Sequence, residues 1–351
     1  MNVLLTGVGA PGTRGTIYAL RRNSDNVLVR IIGVDIKEDV VGKYWVEGFY
    51  RVPPPEDIGY IRAINKICKS ESIDVLLPQT TRETAKLSKT YEQVDCKVAV
   101  AKSSAIEKAN NKFTLVKLCQ KIGIPAPESC LVSSADELED AARDLGYPKN
   151  SVVVKPPISF GSRGFRVLRE ESSWDVKRFL SEKPNATEIS LGELLSILNR
   201  GKKTDFPELM ISEFLPGNEY SVDAFIGKKV SVAIPRLRKQ IVNGISFRTS
   251  LEYRKDIMEN TLKLATELGL RYAFGLQFKQ DSRGISKILE CNPRVQGTMA
   301  ASIFSGINVI WMAIREALGS PIERISKPLK KSEFYRFWGG LAVTNARYFE
   351  I

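Results

Sequence analysis

Short apolar runs punctuate the first hundred residues, with helix-length segments between them. Val3–Leu5, Arg30–Val34, Val75–Leu77 and Lys97–Ala101 read as strands, and Ile58–Ser70 and Arg82–Lys89 as helices. Apolar runs bounded by turn residues and separated by helices predict βαβ units on a parallel sheet. From Ser103 the texture changes. Asn111–Ile122 carries Phe113, Leu115, Val116, Leu118 and Cys119 and stops at Gly123 and Pro125, the usual glycine-then-proline end of a helix. Cys130–Val132 and Val152–Val154 read as strands, Asp136–Leu145 as a helix, and Leu191–Gly201 as a polar helical insert. Glu208–Phe225 and Lys228–Pro235 predict an antiparallel pair hinged at Gly227. Arg254–Leu268 is an amphipathic helix with Ile257, Thr261, Leu264 and Leu268 on one face. Phe274–Phe278 and Ser286–Cys291 predict a hairpin around Asp281–Gly284, followed by a helix at Ile307–Gly319 and an irregular basic stretch, Pro321–Ile351. Parallel α/β followed by α+β predicts distinct domains in an α/β chain.

Composition removes whole classes of chemistry. The 351 residues include no histidine, which excludes a Ser-His-Asp triad, a histidine-activated cysteine and an imidazole general base. Catalysis falls to carboxylates, Lys, Arg, backbone amides or an ion they hold. The five cysteines show no CxxC and read as reduced, mostly buried thiols of a cytoplasmic protein. No run reaches the ~18 apolar residues of a membrane span, so no membrane partner is expected. The net charge of +12 is uneven, with +2 in residues 1–101 and +10 in the remainder. Eight basic residues against one acidic lie between Lys228 and Lys255. Such an excess suits an anionic partner or a solvated basic surface.

Four segments could carry chemistry. Gly7-Val8-Gly9-Ala10-Pro11-Gly12 follows the first strand as a full GxGxxG, with Asp35 closing the second. It fits a nicotinamide or flavin dinucleotide, or a glycine turn that only packs a helix on a sheet. Lys155 leaves an apolar strand ahead of Ser159-Phe160-Gly161-Ser162-Arg163-Gly164. This is suited to phosphate, since glycine lets backbone N–H groups approach oxygens while the ammonium supplies charge; an ordinary hairpin turn is the alternative. Gln277, Glu290 and Asn292 place three oxygen donors on one face of the predicted hairpin, suited to Mg²⁺, with Arg294 just beyond to clamp a phosphoryl group; a buried Glu/Asn cap with an Arg ion pair is the alternative. Glu213 and Glu219 bracket Phe214-Leu215-Pro216-Gly217, either an adenine-contacting hinge or a surface turn.

In order along the chain these segments resemble the ATP-grasp superfamily, in particular proteins similar to the large subunit of carbamoyl-phosphate synthase. The resemblance runs from Asn110-Asn111-Lys112-Phe113 through Gly123-Ile124-Pro125-Ala126-Pro127, then Val154-Lys155-Pro156 with Gly161-Ser162-Arg163-Gly164. It continues through Glu213-Phe214-Leu215-Pro216-Gly217-Asn218-Glu219-Tyr220-Ser221-Val222-Asp223 and Glu290-Cys291-Asn292-Pro293-Arg294-Val295-Gln296-Gly297-Thr298. Asn111 stands where that family frequently has Asp, and Ser212 where it often has a second acid.

The resemblance implies a Rossmann-like pre-ATP-grasp domain at 1–101 and ATP-grasp subdomains at 102–207 and 208–351. It implies that Lys112, Lys155, Gly161, Ser162 and Gly164 bind the nucleotide phosphates. The backbone of Glu213, Phe214 and Leu215 would read adenine and Glu219 would hold the ribose. Gln277, Glu290 and Asn292 would carry two Mg²⁺, with Mn²⁺ able to substitute, while Arg294 and Lys155 act on the γ-phosphate. The activity implied is ATP-dependent activation of a small-molecule carboxylate as an acyl phosphate for attack by an amine or ammonia. Independently of the resemblance, Arg236, Arg238 and Arg248, in Ile234–Leu251, could meet substrate carboxylates bidentately or be surface basic residues on a mobile loop. No nucleic-acid partner is expected, and a homodimer is a family option. The alternative functions are a nicotinamide-dependent oxidoreductase using Gly7–Gly12 and a basic nucleic-acid-binding protein.

Overall fold

A computed structural model describes residues 1–351 apart from 160, 171–186, 201–205, 324, 326–328, 338, 345–346 and 351. The chain divides into two units, the first built from Met1–Asn110, Glu219–Phe278 and Glu290–Ile351, the second from Asn111–Asn218 and Lys279–Leu289.

The first unit opens with a five-stranded parallel sheet of β1 (Asn2–Thr6), β2 (Arg30–Asp35), β3 (Gly48–Arg51), β4 (Val75–Leu77) and β5 (Lys97–Val98), in the order β3-β2-β1-β4-β5. Helices α1 (Thr13–Arg21), α2 (Tyr60–Ser70) and α3 (Thr81–Thr90) provide crossovers, and α4 (Ser103–Asn110) follows. Because both faces are covered, β1 is apolar without alternation. Its Val3 and Leu5 join the core that includes Ile17, Leu20 and Trp311, whereas Leu4 joins Ile32, Tyr60, Ile64 and Leu87. The strand order reverses between β1 and β4. In an open α/β sheet this is where the strand ends part and leave room for functional side chains.

The second unit begins with α5 (Lys112–Lys121), capped by the Asn111 side chain, which accepts a hydrogen bond from Thr114 N at 3.0 Å. Its sheet combines β6 (Ser129–Val132), β7 (Val152–Lys155), β8 (Arg166–Leu168), β9 (Glu188–Ile189) and β10 (Leu209–Glu213), in the order β6-β10-β7-β8-β9. Helices α6 (Ala135–Asp144) and α7 (Leu191–Leu198) accompany it. Leu138, Val152, Val154, Leu168, Leu194 and Ile211 share its core. The helical insert expected to reach Gly201 ends at Leu198, and Gly201 lies outside the described residues.

The stretch Glu208–Phe225 is two strands, parted at the hinge or turn read at Phe214–Gly217. Pro216 cannot donate to a ladder, and Pro216-Gly217 ends β10 before β11 (Glu219–Ile226) begins in a different sheet. That sheet adds β12 (Ser231–Val242) and β13 (Ile245–Leu251). After helix α8 (Lys255–Leu268) come β14 (Tyr272–Gln280) and β15 (Ser286–Asn292), which are neighbours as the hairpin reading required. Helix α9 (Val309–Ala317) buries Trp311 and Ile314. Among its described residues, the stretch read as irregular holds three short strands. β16 (Glu333–Tyr335) extends the edge beside β13, and β17 (Leu341–Thr344) pairs with β18 (Arg347–Glu350). Among the described residues no helix is long and apolar enough to cross a membrane.

Candidate active site

In the second unit, the first turn of α5 delivers Lys112 to the segment before the glycine loop. Lys112 is buried, and its Nζ donates to Ser159 O at 2.8 Å and Ser159 Oγ at 3.3 Å. The backbone agrees, since Lys112 N donates to Pro157 O at 2.9 Å. Lys155, the last residue of β7, lies opposite Met210 and is also buried. A lysine is kept from water only where other polar groups receive its ammonium. Gly161, Ser162 and Gly164 have φ of +63°, +58° and +73°, a turn that two of three positions make at no steric cost. A Cβ on Gly164 would lie 2.7 Å from Pro156 Cδ, so the glycine is also required for space. Phe160 of this loop lies outside the described residues.

At the end of β10, the Glu213 carboxylate accepts from Glu128 N at 2.9 Å and pairs with Lys287. Its side chain therefore serves this turn. The Phe214 ring lies under the Arg169 guanidinium at 5.6 Å and the Lys279 ammonium at 5.4 Å, and Leu215 is buried. Gly217 N donates to Gln280 O and Gln280 N to Asn218 O, both at 2.9 Å, which fixes the bend.

In the first unit, Glu290 and Asn292 project from one face of β15, two residues apart, and Gln277 lies on the adjacent β14. Asn292 Nδ2 donates to Glu290 Oε1 at 2.9 Å, and Arg294 Nη2 to Asn292 Oδ1 at 3.1 Å. Arg294 Nε reaches Thr81 Oγ1 on α3 at 3.2 Å, while its Nη1 donates to Val295 O at 2.9 Å. Burial lowers the Arg294 pKa, and the charge of Glu290 opposes that. The result is a run of hydrogen bonds from a carboxylate through an amide to a guanidinium, anchored at a helix start. Among the described residues no group of three His, Cys, Asp or Glu could hold a metal. The donor set read from the sequence is instead one carboxylate and two amides. Such all-oxygen donors match a hard cation whose remaining ligands are phosphates and water.

The three arginines with a substrate reading have separate acidic partners. Arg236 is 2% exposed, donates from Nε and Nη2 to both oxygens of Asp223 at 2.7 Å, and reaches Thr298 Oγ1 at 3.2 Å. Arg238 pairs with Glu219 and donates to Ser246 Oγ at 2.8 Å. Arg248 pairs with Glu333 at 3.2 Å and lies over the Tyr335 ring.

The glycine-rich turn after β1 has its own geometry. Asp35 Oδ2 accepts from Gly9 N at 2.8 Å and Oδ1 from Lys37 N at 3.0 Å, so the carboxylate caps its own turns. A Cβ on Gly42 would lie 2.0 Å from Val8 O, which shows how closely 41–44 presses on the turn. A Cβ on Gly12 would lie 2.6 Å from Gly297 Cα. The third glycine of the fingerprint is thus spent on contact with the Asn292–Thr298 loop.

Sequence reasoning missed Thr81, Asp223 and Gln296. Gln296 Nε2 donates to Val222 O at 3.1 Å, and its Oε1 accepts from Ser221 at 3.3 Å. Asp223 and Gln296 lie in the segments that carry the resemblance but had no role read for them, and Thr81 carried no signal.

Residues 205–336 match the family model described as "ATP-grasp in the biosynthetic pathway with Ter operon", and residues 3–101 match "PylC-like, N-terminal domain". The chain is 28% identical over 249 residues to the carbamoyl phosphate synthase large chain of Pyrococcus furiosus, covering 68% of this chain and 21% of that one. For the Thermus thermophilus protein the values are 26% over 274 residues, 75% and 24%. The chain thus spans less than a quarter of the length of these relatives. Among solved structures, Staphylococcus aureus N5-carboxyaminoimidazole synthetase complexed with ADP superposes with a TM-score of 0.71 at 17% identity, covering 96% of this chain and 82% of that one. The biotin carboxylase domain of Hydrogenobacter thermophilus 2-oxoglutarate carboxylase, in complex with MgADP, ADP and bicarbonate, gives 0.69 at 15%, covering 93% and 71%. These two likenesses establish the fold.

Proposed function

We propose that this chain, which carries an ATP-grasp domain and a PylC-like N-terminal domain and is homologous to the carbamoyl phosphate synthase large chain, is an ATP- and magnesium-dependent ligase. It activates a small-molecule carboxylate for attack by an amine or ammonia. The observation that carries this reading is the hydrogen-bonded run Glu290–Asn292–Arg294, lying within the matched residues 205–336. Lys112 and Lys155, both buried, would take the nucleotide phosphates, with Gly161, Ser162 and Gly164 turning backbone N–H groups toward them. The main chain of Glu213–Leu215 would receive adenine, and Glu219, steadied by Arg238, the ribose.

Gln277, Glu290 and Asn292 would hold magnesium, which neutralises charge on the transferring phosphoryl group. A carboxylate oxygen of the substrate attacks the γ-phosphorus, and the bond to the β-phosphate oxygen breaks, giving ADP and an acyl phosphate. Arg294 meets the charge that builds on the transferred group, since its guanidinium is already oriented by Asn292 and Thr81. The amine nitrogen then attacks the acyl carbon, phosphate leaves, and the nitrogen proton passes to phosphate or a carboxylate. No step needs an imidazole, in keeping with a chain that has none. On this reading the working divisions are 1–101, 102–207 and 208–351.

The test is ADP release with MgATP across pairs of carboxylates and amines. Release that requires both partners supports the reading, and Glu290→Ala should abolish it while leaving the fold intact. A saturating nucleotide at a hundred times its Kd should stabilise the protein by about 2.7 kcal/mol. If MgATP leaves the Tm unchanged, the reading fails.

A further inference from the structure

Two of the five cysteines, which the sequence scatters without paired spacing, meet in the first unit. Cys68 lies in the last turn of α2 and is buried; Cys96 precedes β5 and is partly exposed. Their Sγ atoms are 3.5 Å apart, although 28 positions separate them in the chain. The segments that carry them are pinned together. Asn65 of α2 donates from Nδ2 to Gln93 O at 2.7 Å and accepts from Asp95 N at 3.0 Å. Lys69 Nζ, next to Cys68, lies 3.3 Å from the carboxylate of Asp95, next to Cys96. A disulfide needs sulfurs about 2.05 Å apart. The approach still required is about 1.5 Å, and the Asn65 bonds hold the backbones in place for it.

A surface cavity of about 650 Å³ is lined by Lys69 and Asp95, the chain neighbours of the two cysteines, together with Asn65 and Gln93. The α2 side of that cavity presents Arg62, Lys66 and Lys69, spaced along one helix face. Three cations against one carboxylate favour a small molecule that brings carboxylates of its own.

We propose that Cys68 and Cys96 form a reversible intramolecular disulfide by exchange with a low-molecular-weight, carboxylate-bearing disulfide, docked on Arg62, Lys66 and Lys69. The ionised thiol of the pair attacks one sulfur of the small disulfide, releasing a first small thiol and leaving a mixed disulfide on the protein. The second cysteine, losing its proton, attacks the protein sulfur of that mixed bond and displaces the second small thiol. The protein dithiol is oxidised, the small disulfide is reduced to two thiols, and the two protons leave with them. The hydrogen bond between the thiols lowers the Cys68 pKa, with burial and the charge of Asp95 opposing, and the same bond raises that of Cys96. The cross-link would close the loop that contains β4 and α3, including Thr81. Closing a loop in the unfolded chain raises stability.

The experiment titrates the full chain with glutathione disulfide, quenches with acid and counts free thiols in denaturant. The expected fall is from five to three, with a peptide joining Cys68 to Cys96 and a Tm raised by a few degrees. Cys96→Ser should abolish the cross-link, whereas Cys119→Ser should leave it intact. Arg62→Glu with Lys66→Glu should slow the reaction with glutathione disulfide at least tenfold and leave the rate with neutral hydroxyethyl disulfide unchanged. Five thiols retained, or a glutathione adduct that never resolves to the cross-link, overturns the disulfide. Equal slowing with both reagents overturns the anion-docking surface.

Discussion

Thr81 Oγ1, at the start of α3, accepts a hydrogen bond from Nε of Arg294 at 3.2 Å across 213 positions of the chain. The helix belongs to the residues matched as a PylC-like N-terminal domain and the arginine to those matched as ATP-grasp. The guanidinium is thus fixed from both sides, by Thr81 on Nε and by Asn292 on Nη2. A group that meets charge in a transition state gains from being oriented beforehand, because no reorganisation is needed when the charge develops.

Thr81→Val should therefore lower the rate of ADP formation about tenfold, the equivalent of one hydrogen bond to a charged group at 1.4 kcal/mol or so. Thr81→Ser should restore most of it. KM for ATP should change less than kcat. If both variants alter KM and kcat alike, or Thr81→Val is fully active, the orienting role is wrong.

The Asp223–Arg236 pair yields a stability prediction. Burial raises the Asp223 carboxyl above the ordinary carboxylate range, and Arg236 opposes this with two hydrogen bonds. Arg236→Met would leave that carboxylate without its counter-charge and should cost about 3–5 kcal/mol in urea unfolding. The double variant Arg236→Met, Asp223→Leu should recover much of the loss, since an apolar pair of similar volume is often neutral. An arginine used only to meet substrate would give no such loss.

Gly275 and Gln296 are locked by space. A Cβ at Gly275 would lie 1.5 Å from Gln296 Nε2 and 1.9 Å from its Cδ. Gly275→Ala must push Gln296 off Val222 O, leaving a buried carbonyl unpaired at a cost of about 1–3 kcal/mol. Adding Gln296→Ala should relieve the clash but not the lost bond. The double variant should then fall between wild type and Gly275→Ala in chemical denaturation.

Glu83 gives the pH dependence. It is buried on α3, its Oε2 accepts from Thr6 Oγ1 at 2.8 Å and Thr80 Oγ1 at 2.7 Å, and burial pushes its pKa up to about 7 from 4.5. A raised carboxyl pKa means that the folded state holds the proton more tightly than the unfolded one. Its contribution is complete below about pH 4.5 and is lost as pH rises through about 7. Glu83→Gln, always neutral, should remove a decline on the order of 3 kcal/mol between these limits. Wild type and variant should give Tm curves that converge at low pH and separate as pH rises. Parallel curves would contradict the assignment.

The contrast between covered and exposed strands shows what kind of information local sequence carries. The parallel strands β1, β2 and β4 are legible because strands covered on both faces are continuously apolar, as Val3–Leu5 and Val75–Leu77 are. Strand β3, Gly48–Arg51, is half exposed at the sheet edge and offers no apolar run, so it is invisible to such a reading. The tail strands β16 to β18 are hidden for the same reason: most of their described side chains are partly or fully exposed.

By itself the sequence determined the α/β class, the absence of imidazole chemistry and the run of residues from Lys112 to Arg294 that resembles an ATP-grasp protein. These are properties of composition, local periodicity and spacing, and need no knowledge of what lies far along the chain. Tertiary structure alone decided what each charged group faces. It gave Arg236 to Asp223 and Arg238 to Glu219, and it brought Cys68 beside Cys96. It also turned Gly12 of the dinucleotide-like fingerprint into a packing surface for Gly297. A buried charge or a close backbone contact takes its meaning from its partner in space, and strand register and helix docking choose that partner.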